Sequence, residues 1–340
     1  MATLTAQVST NTLSAMTDLI TRSFTDAQSN IPQNLYNSGI VVKETMPKGT
    51  GEFKRMAERI DRSLYASRRA EGDDSQQAKV QYGYEKDLKV YTISLQVGIT
   101  KRMRDAGKNQ DILDKITMLS DVCPMTRELD LGLRLSYAFA TSYTDKDGVT
   151  VDTTVGDGKA LIDGTHTLTG SATTYSNQIT SNPAFSKAAL EVAEISFVNN
   201  SYDNLGQSVV VNPDTLITTD DPTTVNDVLE LFKATANTDS SNSNTFNTYR
   251  AKYKHVIAPS IRLSVTGGVD TTKSKYWFLA SSAKSDFYLC TLNEPYLKTP
   301  MDGNNGEDFS SETWSYLTGA DYGIAIVSGK WIRGSKGNAS

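Results

Sequence analysis

The chain has 340 residues and a net charge of −5, and hydrophobic residues make up 38% of it. This acidic balance argues against tight binding to nucleic-acid backbones, which normally requires a basic surface. No apolar run approaches the ~20 residues that cross a bilayer, so we expect no membrane partner. With only two cysteines and two histidines, the sequence excludes a disulfide framework and disfavours zinc sites and histidine-based triads.

Residues 1–31 are predicted to form an N-terminal arm. It contains one short helix candidate, whose apolar stripe consists of Leu13, Met16, Leu19, Ile20 and Phe24. Pro32 ends this candidate. Residues 43–79 follow with many charges of both signs and a thin apolar stripe. This second segment therefore has little core of its own.

The central part of the chain predicts a strand followed by a long helix. Residues 88–100 alternate apolar and polar side chains, which is typical of a half-buried strand. Residues 109–143 predict a helix of roughly 45–50 Å, with Asn109 or Asp111 as its N-cap and a kink at Pro124. The second half of this helix is apolar on more than one face, so we expect it to be buried on several sides.

Beyond residue 143, helices and strands are mixed. Residues 144–183 are rich in turn-forming residues. Two capped helices are predicted: one is capped by Asn182 or Ser186 and runs through residue 198, and the other follows Asp221 at residues 222–232. The C-terminal part predicts strands at residues 254–261, 275–280, 286–292, 311–317 and 322–327. Because the regular alternation of a parallel βαβ fold is missing, the predicted fold class is α+β.

The motifs that carry chemistry are incomplete. The glycine-rich residues 323–330 are one residue too long for a phosphate loop, and Cys123 has no basic partner in sequence that would activate it. The Asp- and Gly-rich turns at residues 145–148 and 302–308 lack the distal glutamate of a calcium loop. We therefore predict no catalytic residue, no cofactor site and no metal site, and the chain is expected not to be an enzyme.

The order of these features resembles the major capsid (major head) protein family of tailed bacteriophages, which has the Hong Kong 97-like fold. Residues 158–168 and 182–186 are similar to stretches of phage head proteins. The resemblance implies an N-terminal arm at residues 1–31 and an extended loop region at 32–87. It further implies a peripheral domain at 88–185 with a spine helix at 109–143, an axial domain at 186–300, and a return to the peripheral domain at 301–340.

The resemblance also implies a function. A member of this family self-assembles through hexamers and pentamers into the icosahedral head of a tailed bacteriophage and encloses the double-stranded DNA genome. The expected partners are further copies of the chain, a separate scaffolding protein, a portal and a decoration protein. DNA would be contacted non-specifically, no cofactor is implied, and the expected location is the virion after assembly in the host cytoplasm.

Contacts between subunits are expected on the charged loop and on the spine helix. Charges of mixed sign suit ion pairs that set the register between subunits. The predicted inter-subunit contacts are Arg68, Arg69, Glu71, Asp73, Asp74, Leu133 and Tyr137. Two alternatives remain open at this point: a bacterial nanocompartment shell of the same fold, and a Ser/Thr-rich phage surface or tail-associated binding protein.

Overall fold

The structure is a computed structural model that describes residue 24 and residues 32–49, 51–58, 66, 68–75, 82–236, 246–299 and 313–338. Its α-helices are α1 (Lys101–Asp105), α2 (Asn109–Ser136), α3 (Lys187–Asn199) and α4 (Pro222–Lys233). Its first eight strands are β1 (Val41–Thr45), β2 (Phe53–Ala57), β3 (Glu85–Lys89), β4 (Tyr91–Thr100), β5 (Ser142–Thr144), β6 (Thr150–Asp152), β7 (His166–Thr167) and β8 (Thr174–Tyr175). The others are β9 (Thr215–Thr218), β10 (Lys254–Ile257), β11 (Trp277–Ala280), β12 (Phe287–Lys298), β13 (Thr313–Ile326) and β14 (Ile332–Ser335). This mixture confirms the predicted α+β class.

Two four-stranded sheets form the body. The first has the order β1-β12-β13-β4, in which β1 and β12 run parallel and the other neighbours run antiparallel. The second has the order β10-β9-β11-β14, in which only β10 and β9 run parallel. Three two-stranded ribbons, β2-β3, β5-β6 and β7-β8, lie outside these sheets. Among the described helices, none is long and apolar enough to cross a membrane.

The predicted spine helix at residues 109–143 is too long. Helix α2 ends at Ser136, where Tyr137 is the C-cap and donates its backbone N–H to Leu133 O at 2.9 Å. The following residues turn, and β5 then pairs with β6. The apolar pattern continues through this turn because its residues also face the core, so the pattern does not mark the helix end. The predicted N-cap is wrong as well, since Lys108 holds that position without a side-chain cap.

The two halves of α2 are packed differently. In the first half, Ile112 and Ile116 face the core and cluster with Ile99 of β4. In the second half, Leu131, Leu133 and Leu135 are all buried, although they cannot share one face of a helix. The prediction that this half is buried on several sides is therefore confirmed.

Both capped helices are confirmed. Ser186 precedes α3 and accepts a hydrogen bond from Ala189 N at 3.1 Å. Asp221 precedes α4, accepts from Thr224 N at 3.1 Å, and is followed by Pro222 in the first turn. Side-chain oxygens at this position satisfy backbone N–H groups that a helix leaves free, which is why the sequence signal was reliable.

The predicted boundary at residue 300 does not separate the two sheets. Strand β12 lies within the predicted axial span, yet it pairs with β1 and β13 in the first sheet. Strand β14 lies within the predicted return segment, yet it pairs with β11 in the second sheet. The strands predicted at residues 311–317 and 322–327 are one continuous strand, β13. An alternating pattern predicts a strand but not the strand with which it pairs, so the sequence could not predict these sheet pairings.

Candidate assembly surfaces

Residues 33–36 are held at the middle of α2, whereas the predicted N-terminal arm at residues 1–31 lies outside the described residues except for residue 24. The carboxylate of Glu128 accepts hydrogen bonds from the backbone N–H groups of Leu35 at 2.7 Å and Tyr36 at 3.1 Å. The neighbouring Arg127 donates to Gln33 Oε1 at 2.7 Å and stacks its guanidinium on the Tyr36 ring. Burial raises the pKa of the Glu128 carboxyl, and the two backbone donors oppose this shift. The chain is thus fixed at residues 33–36.

A buried ion pair fixes the root of the ribbon β2-β3 to the body. Glu58 directly follows β2 and is only 4% exposed. Its Oε2 accepts from Tyr84 N at 3.1 Å, and its Oε1 lies 2.7 Å from Lys330 Nζ. The same ammonium donates to Asn204 Oδ1 at 2.6 Å. The root of the ribbon therefore contacts two distant parts of the chain.

The segment between β6 and β8 supports the ribbon from another side. The hydroxyls of Tyr84 and Thr167 are 2.8 Å apart. Lys86 Nζ lies 3.1 Å from Asp152 Oδ2 and also donates to the carbonyl of Thr154. Burial lowers the pKa of Lys86, against the opposing charge of Asp152. Together with the Glu58 ion pair, these contacts hold the ribbon in a defined orientation at its base.

The five predicted contact residues of the loop lie close together in one exposed stretch. Arg68, Arg69, Glu71, Asp73 and Asp74 are all exposed. A turn joins them, because Asp73 N donates to the carbonyl of Ala70 at 3.3 Å. In the described part of this segment, residues 68–75, no side chain is buried. The geometry is that of a charged tip that other molecules can reach.

The two predicted contacts on α2 lie elsewhere. Leu133 is 3% exposed, so most of its surface is already covered within its own subunit. Tyr137 is partly exposed, stacks on Tyr143 with ring centroids 4.7 Å apart, and has Lys273 Nζ above its ring at 3.5 Å. Their role between subunits stays a prediction, and only Tyr137 offers appreciable surface for it.

The sequence did not predict the exposure of several apolar side chains. Phe53 and Tyr82, on the ribbon and beside it, are 59% and 73% exposed. On α3, Val192 and Ile195 face solvent, on a different side from the buried stripe of that helix. Apolar residues outside the predicted core stripe of a helix are the signal that would have revealed such surfaces.

The titratable groups in the body are held in structural contacts. His166 is fully buried, with Nδ1 2.8 Å from Asp157 Oδ2 and Nε2 3.2 Å from Asn177 Oδ1. Burial raises the pKa of the Cys123 thiol, which disfavours the reactive thiolate. Within the described ranges, no group of three or more His, Cys, Asp or Glu side chains could hold a metal ion.

Comparisons with known proteins identify the fold. No protein-family model matches the sequence, and no curated protein sequence matches it. The alignment with a chain of Gordonia phage Cozz covers 90% of this chain and 89% of the phage chain, with a TM-score of 0.50 and 12% sequence identity. The alignment with a chain from the capsid structure of cyanophage P-SCSP1u covers 88% of this chain and 87% of the cyanophage chain, with a TM-score of 0.50 and 10% sequence identity. The chain therefore shares the fold of these two phage chains, one of which comes from a capsid, as the resemblance implied.

Proposed function

We propose that the chain is a major capsid protein that self-assembles through hexamers and pentamers into the icosahedral head of a tailed bacteriophage, where it encloses double-stranded DNA. The observation that carries this proposal is the fold shared with the cyanophage capsid chain over nearly the full length of both chains. On this proposal the chain is a structural subunit, not an enzyme, and its final location is the virion after assembly in the host cytoplasm.

The ribbon and its charged tip support a shell role. A segment without a buried core gains order by packing on something outside its own subunit. Its root is fixed by the Glu58–Lys330 ion pair, and the tip at residues 68–75 is exposed throughout. In a ring with rotational symmetry, each tip would contact the same site on the next subunit, and this repeated contact would close the ring. Charges of both signs at the tip favour one register over others.

The partners follow from the same role. Further copies of the chain are the main partner, and a separate scaffolding protein, a portal and a decoration protein complete the particle. A chain with a net charge of −5 would contact packaged DNA only weakly and without sequence preference. Leu133 would act by keeping α2 rigid, whereas Tyr137 would contact a neighbour directly.

Electron microscopy of the purified full-length chain tests the proposal. Polyhedral particles or six-membered rings in negative stain are the expected result. Fibres or small discrete oligomers would contradict it and would favour a surface or tail-associated binding protein. Particles purified from producing cells after nuclease treatment should contain protected DNA, whereas enclosed protein cargo would favour a nanocompartment shell.

A charge-reversal pair tests the role of the tip. We expect the double variant Arg68→Glu, Arg69→Glu to stay folded but to lose normal particles, because the ion pairs between subunits become repulsive. The matched control is Lys48→Glu, Lys146→Glu, which changes the net charge equally at two exposed lysines outside the tip. Normal particles from the tip variant, or equal loss from both variants, would show that the tip does not set the contact.

A further inference from the structure

Three side chains from distant parts of the chain meet at the base of the ribbon β2-β3. Glu58 directly follows β2, Asn204 lies in a turn between α3 and β9, and Lys330 lies just before β14. Lys330 Nζ donates to Asn204 Oδ1 at 2.6 Å and lies 2.7 Å from Glu58 Oε1. Asn204 is buried, and the side chains of Glu58 and Lys330 are only 1% and 12% exposed. An amine, a carboxamide and a carboxylate are therefore in contact where bulk water has little access.

The backbone that carries the amine and the carboxamide is fixed by local hydrogen bonds. In the turn at residue 204, Asp203 Oδ1 accepts from the backbone N–H groups of Leu205 at 2.9 Å and Gln207 at 2.8 Å. The carbonyl of Lys330 accepts from Arg333 Nη1 at 3.1 Å. Reacting groups that are already held together do not lose translational and rotational freedom during a reaction, which lowers its barrier.

The carboxylate of Glu58 is placed to move protons at this site. Apart from its ion pair with Lys330, Glu58 Oε1 has no hydrogen-bond partner among the described residues. A Cβ at Gly83 would lie 2.4 Å from Glu58 Oε2 and 3.0 Å from Asn204 Nδ2, so both atoms approach the same point of the ribbon backbone. One carboxylate thus lies beside the attacking nitrogen of the lysine and near the carboxamide nitrogen that would leave.

We propose that Lys330 and Asn204 form an isopeptide bond within one subunit, with Glu58 as the general base and general acid. A lysine amine is a nucleophile once it has lost its proton, and a carboxylate in contact with it can take that proton. Because Nζ already donates to the carboxamide oxygen, it lies next to Asn204 Cγ. The reaction also replaces two buried charges with neutral groups, which removes the desolvation cost of the ion pair.

The reaction balances without a further reactant. Glu58 Oε1 takes one proton from the Lys330 ammonium, and the freed electron pair of Nζ attacks Asn204 Cγ. The Nζ–Cγ bond forms and the Cγ–Nδ2 bond breaks. A second proton of Nζ is relayed through the Glu58 carboxyl to Nδ2, which leaves as ammonia. Lys330 ends as a secondary amide and Glu58 as a neutral carboxyl. Because the lysine starts as an ammonium ion, the bond forms gradually, and a freshly purified chain still contains the ion pair.

The bond would link two positions that are 126 residues apart in the sequence and would close the body covalently beneath the ribbon. All three residues belong to one subunit, so the reaction requires no assembly. Its failure would therefore leave the proposed shell function standing.

Mass spectrometry of the purified full-length chain tests the proposal. During incubation, the intact mass should fall by one molecule of ammonia. Digestion of the denatured product should then release a branched peptide that joins Lys330 to Asn204. The variants Lys330→Arg, Asn204→Ala and Glu58→Gln should not yield this peptide, because each lacks the nucleophile, the carboxamide or the base. The matched control is Lys86→Arg: Lys86 is also paired with a carboxylate, that of Asp152, and this variant should still form the branched peptide.

The measurement on the wild-type chain decides the proposal even if a variant fails to fold. A folded wild-type chain that keeps its full mass through prolonged incubation would overturn it. Ammonia loss that persists in Lys330→Arg without a branched peptide would identify cyclisation of an asparagine with its own backbone and would overturn it as well. A branched peptide from folded Glu58→Gln would overturn the role of Glu58 as the base, and circular dichroism checks the fold of each variant.

Discussion

Arg333 is a buried cation whose hydrogen bonds go to carbonyl and hydroxyl oxygens. Its donors reach Ser196 Oγ, Asn200 O, Ser201 Oγ, Lys330 O and Ile332 O, each at 3.1 Å. Ser196 and Asn200 lie at the C-terminal end of α3, where free carbonyls carry partial negative charge. Burial lowers the pKa of Arg333 to about 10, so the guanidinium stays charged at neutral pH. The side chain joins β14 to α3.

Replacing Arg333 should therefore cost much of the stability. We expect Arg333→Met to lower the free energy of unfolding by about 3–5 kcal/mol, because buried carbonyl oxygens lose their donors. Arg333→Lys keeps the charge but not the planar fork of donors, so about 2 kcal/mol should still be lost. Urea unfolding measures both. Arg55→Met is the control: its ion pair with Asp87 is exposed to solvent, so its loss should change the free energy of unfolding little. Equal losses at the two positions would contradict this account.

His255 gives the stability a defined pH dependence. Burial lowers the pKa of His255 from 6.5 to about 4, and its Nε2 lies 2.8 Å from Thr218 Oγ1. Because the unfolded chain binds the proton first, its contribution is fully present above about pH 6.5 and is lost as the pH falls towards 4. The loss is at most about 1.4 kcal/mol per pH unit. Thermal unfolding from pH 7 to pH 4 should show a shallower decline for His255→Gln, and identical slopes would contradict the assignment.

At the scale of single elements, local signals were readable and pairings were not. The caps Ser186 and Asp221 predicted α3 and α4 because a cap is a contact between residues close in sequence. The alternation in residues 88–100 predicted β4, although Leu95 of that strand is exposed at a position expected to be buried. The end of α2 was missed because the core continues past the helix.

The candidate surfaces also contain some features that the sequence predicts and others that it does not. The exposed charges at residues 68–74 were predicted from composition, since a segment with few apolar residues cannot be buried. The ion pair between Glu58 and Lys330 was not predictable, because its partners come from opposite ends of the chain. The exposure of Met118 and Met125 on α2 was not predicted, because the sequence does not show which face of this helix packs on the core. Apolar residues on a helix are therefore assigned to the core by default.

The crossing of α2 over the turn at Pro259–Arg262 depends on a glycine. A Cβ at Gly132 would lie 2.3 Å from Ser260 Oγ and 2.7 Å from the backbone carbonyl carbon of Ser260. In an ordinary helix, replacing glycine by alanine stabilises by about 1 kcal/mol. Here we expect Gly132→Ala to destabilise by about 1–3 kcal/mol, because the two backbones must separate.

Two further variants make the test of Gly132 specific. Thr126→Ala at a partly exposed site of the same helix should change the free energy of unfolding by less than about 0.5 kcal/mol. Adding Ser260→Gly to Gly132→Ala should recover part of the loss, since the side-chain part of the clash is removed, and chemical denaturation measures this coupling. A stabilising Gly132→Ala would mean that the crossing is looser than the structure shows.

In the whole molecule, a body of two sheets and four described helices holds two peripheral segments in place. Residues 35–36 are fixed where Glu128 binds their backbone, and the ribbon is fixed where Glu58 meets Lys330. The exposed charges at residues 68–74 and the exposed side chains of Phe53 and Tyr82 lie on the ribbon or in the segment that joins its strands, whereas a large buried cluster joins α2 to both four-stranded sheets. This division is consistent with the proposed shell role, in which exposed segments contact neighbouring subunits and the body sets the geometry of the subunit.

Variants of the Glu58–Lys330 ion pair can test separately whether the pair stabilises the fold and whether it sets the direction of the ribbon. Lys330→Met alone leaves the carboxylate of Glu58 buried without its cation, so the free energy of unfolding should fall by about 3–5 kcal/mol. The double variant Glu58→Gln, Lys330→Met removes both charges and should recover most of that loss. If the pair also sets the direction of the ribbon, this double variant unfolds near the wild-type urea midpoint yet forms particles of broader diameter in negative stain. Uniform particles from a stable double variant would instead show that the remaining contacts, such as Tyr84 with Thr167, are enough to orient the ribbon.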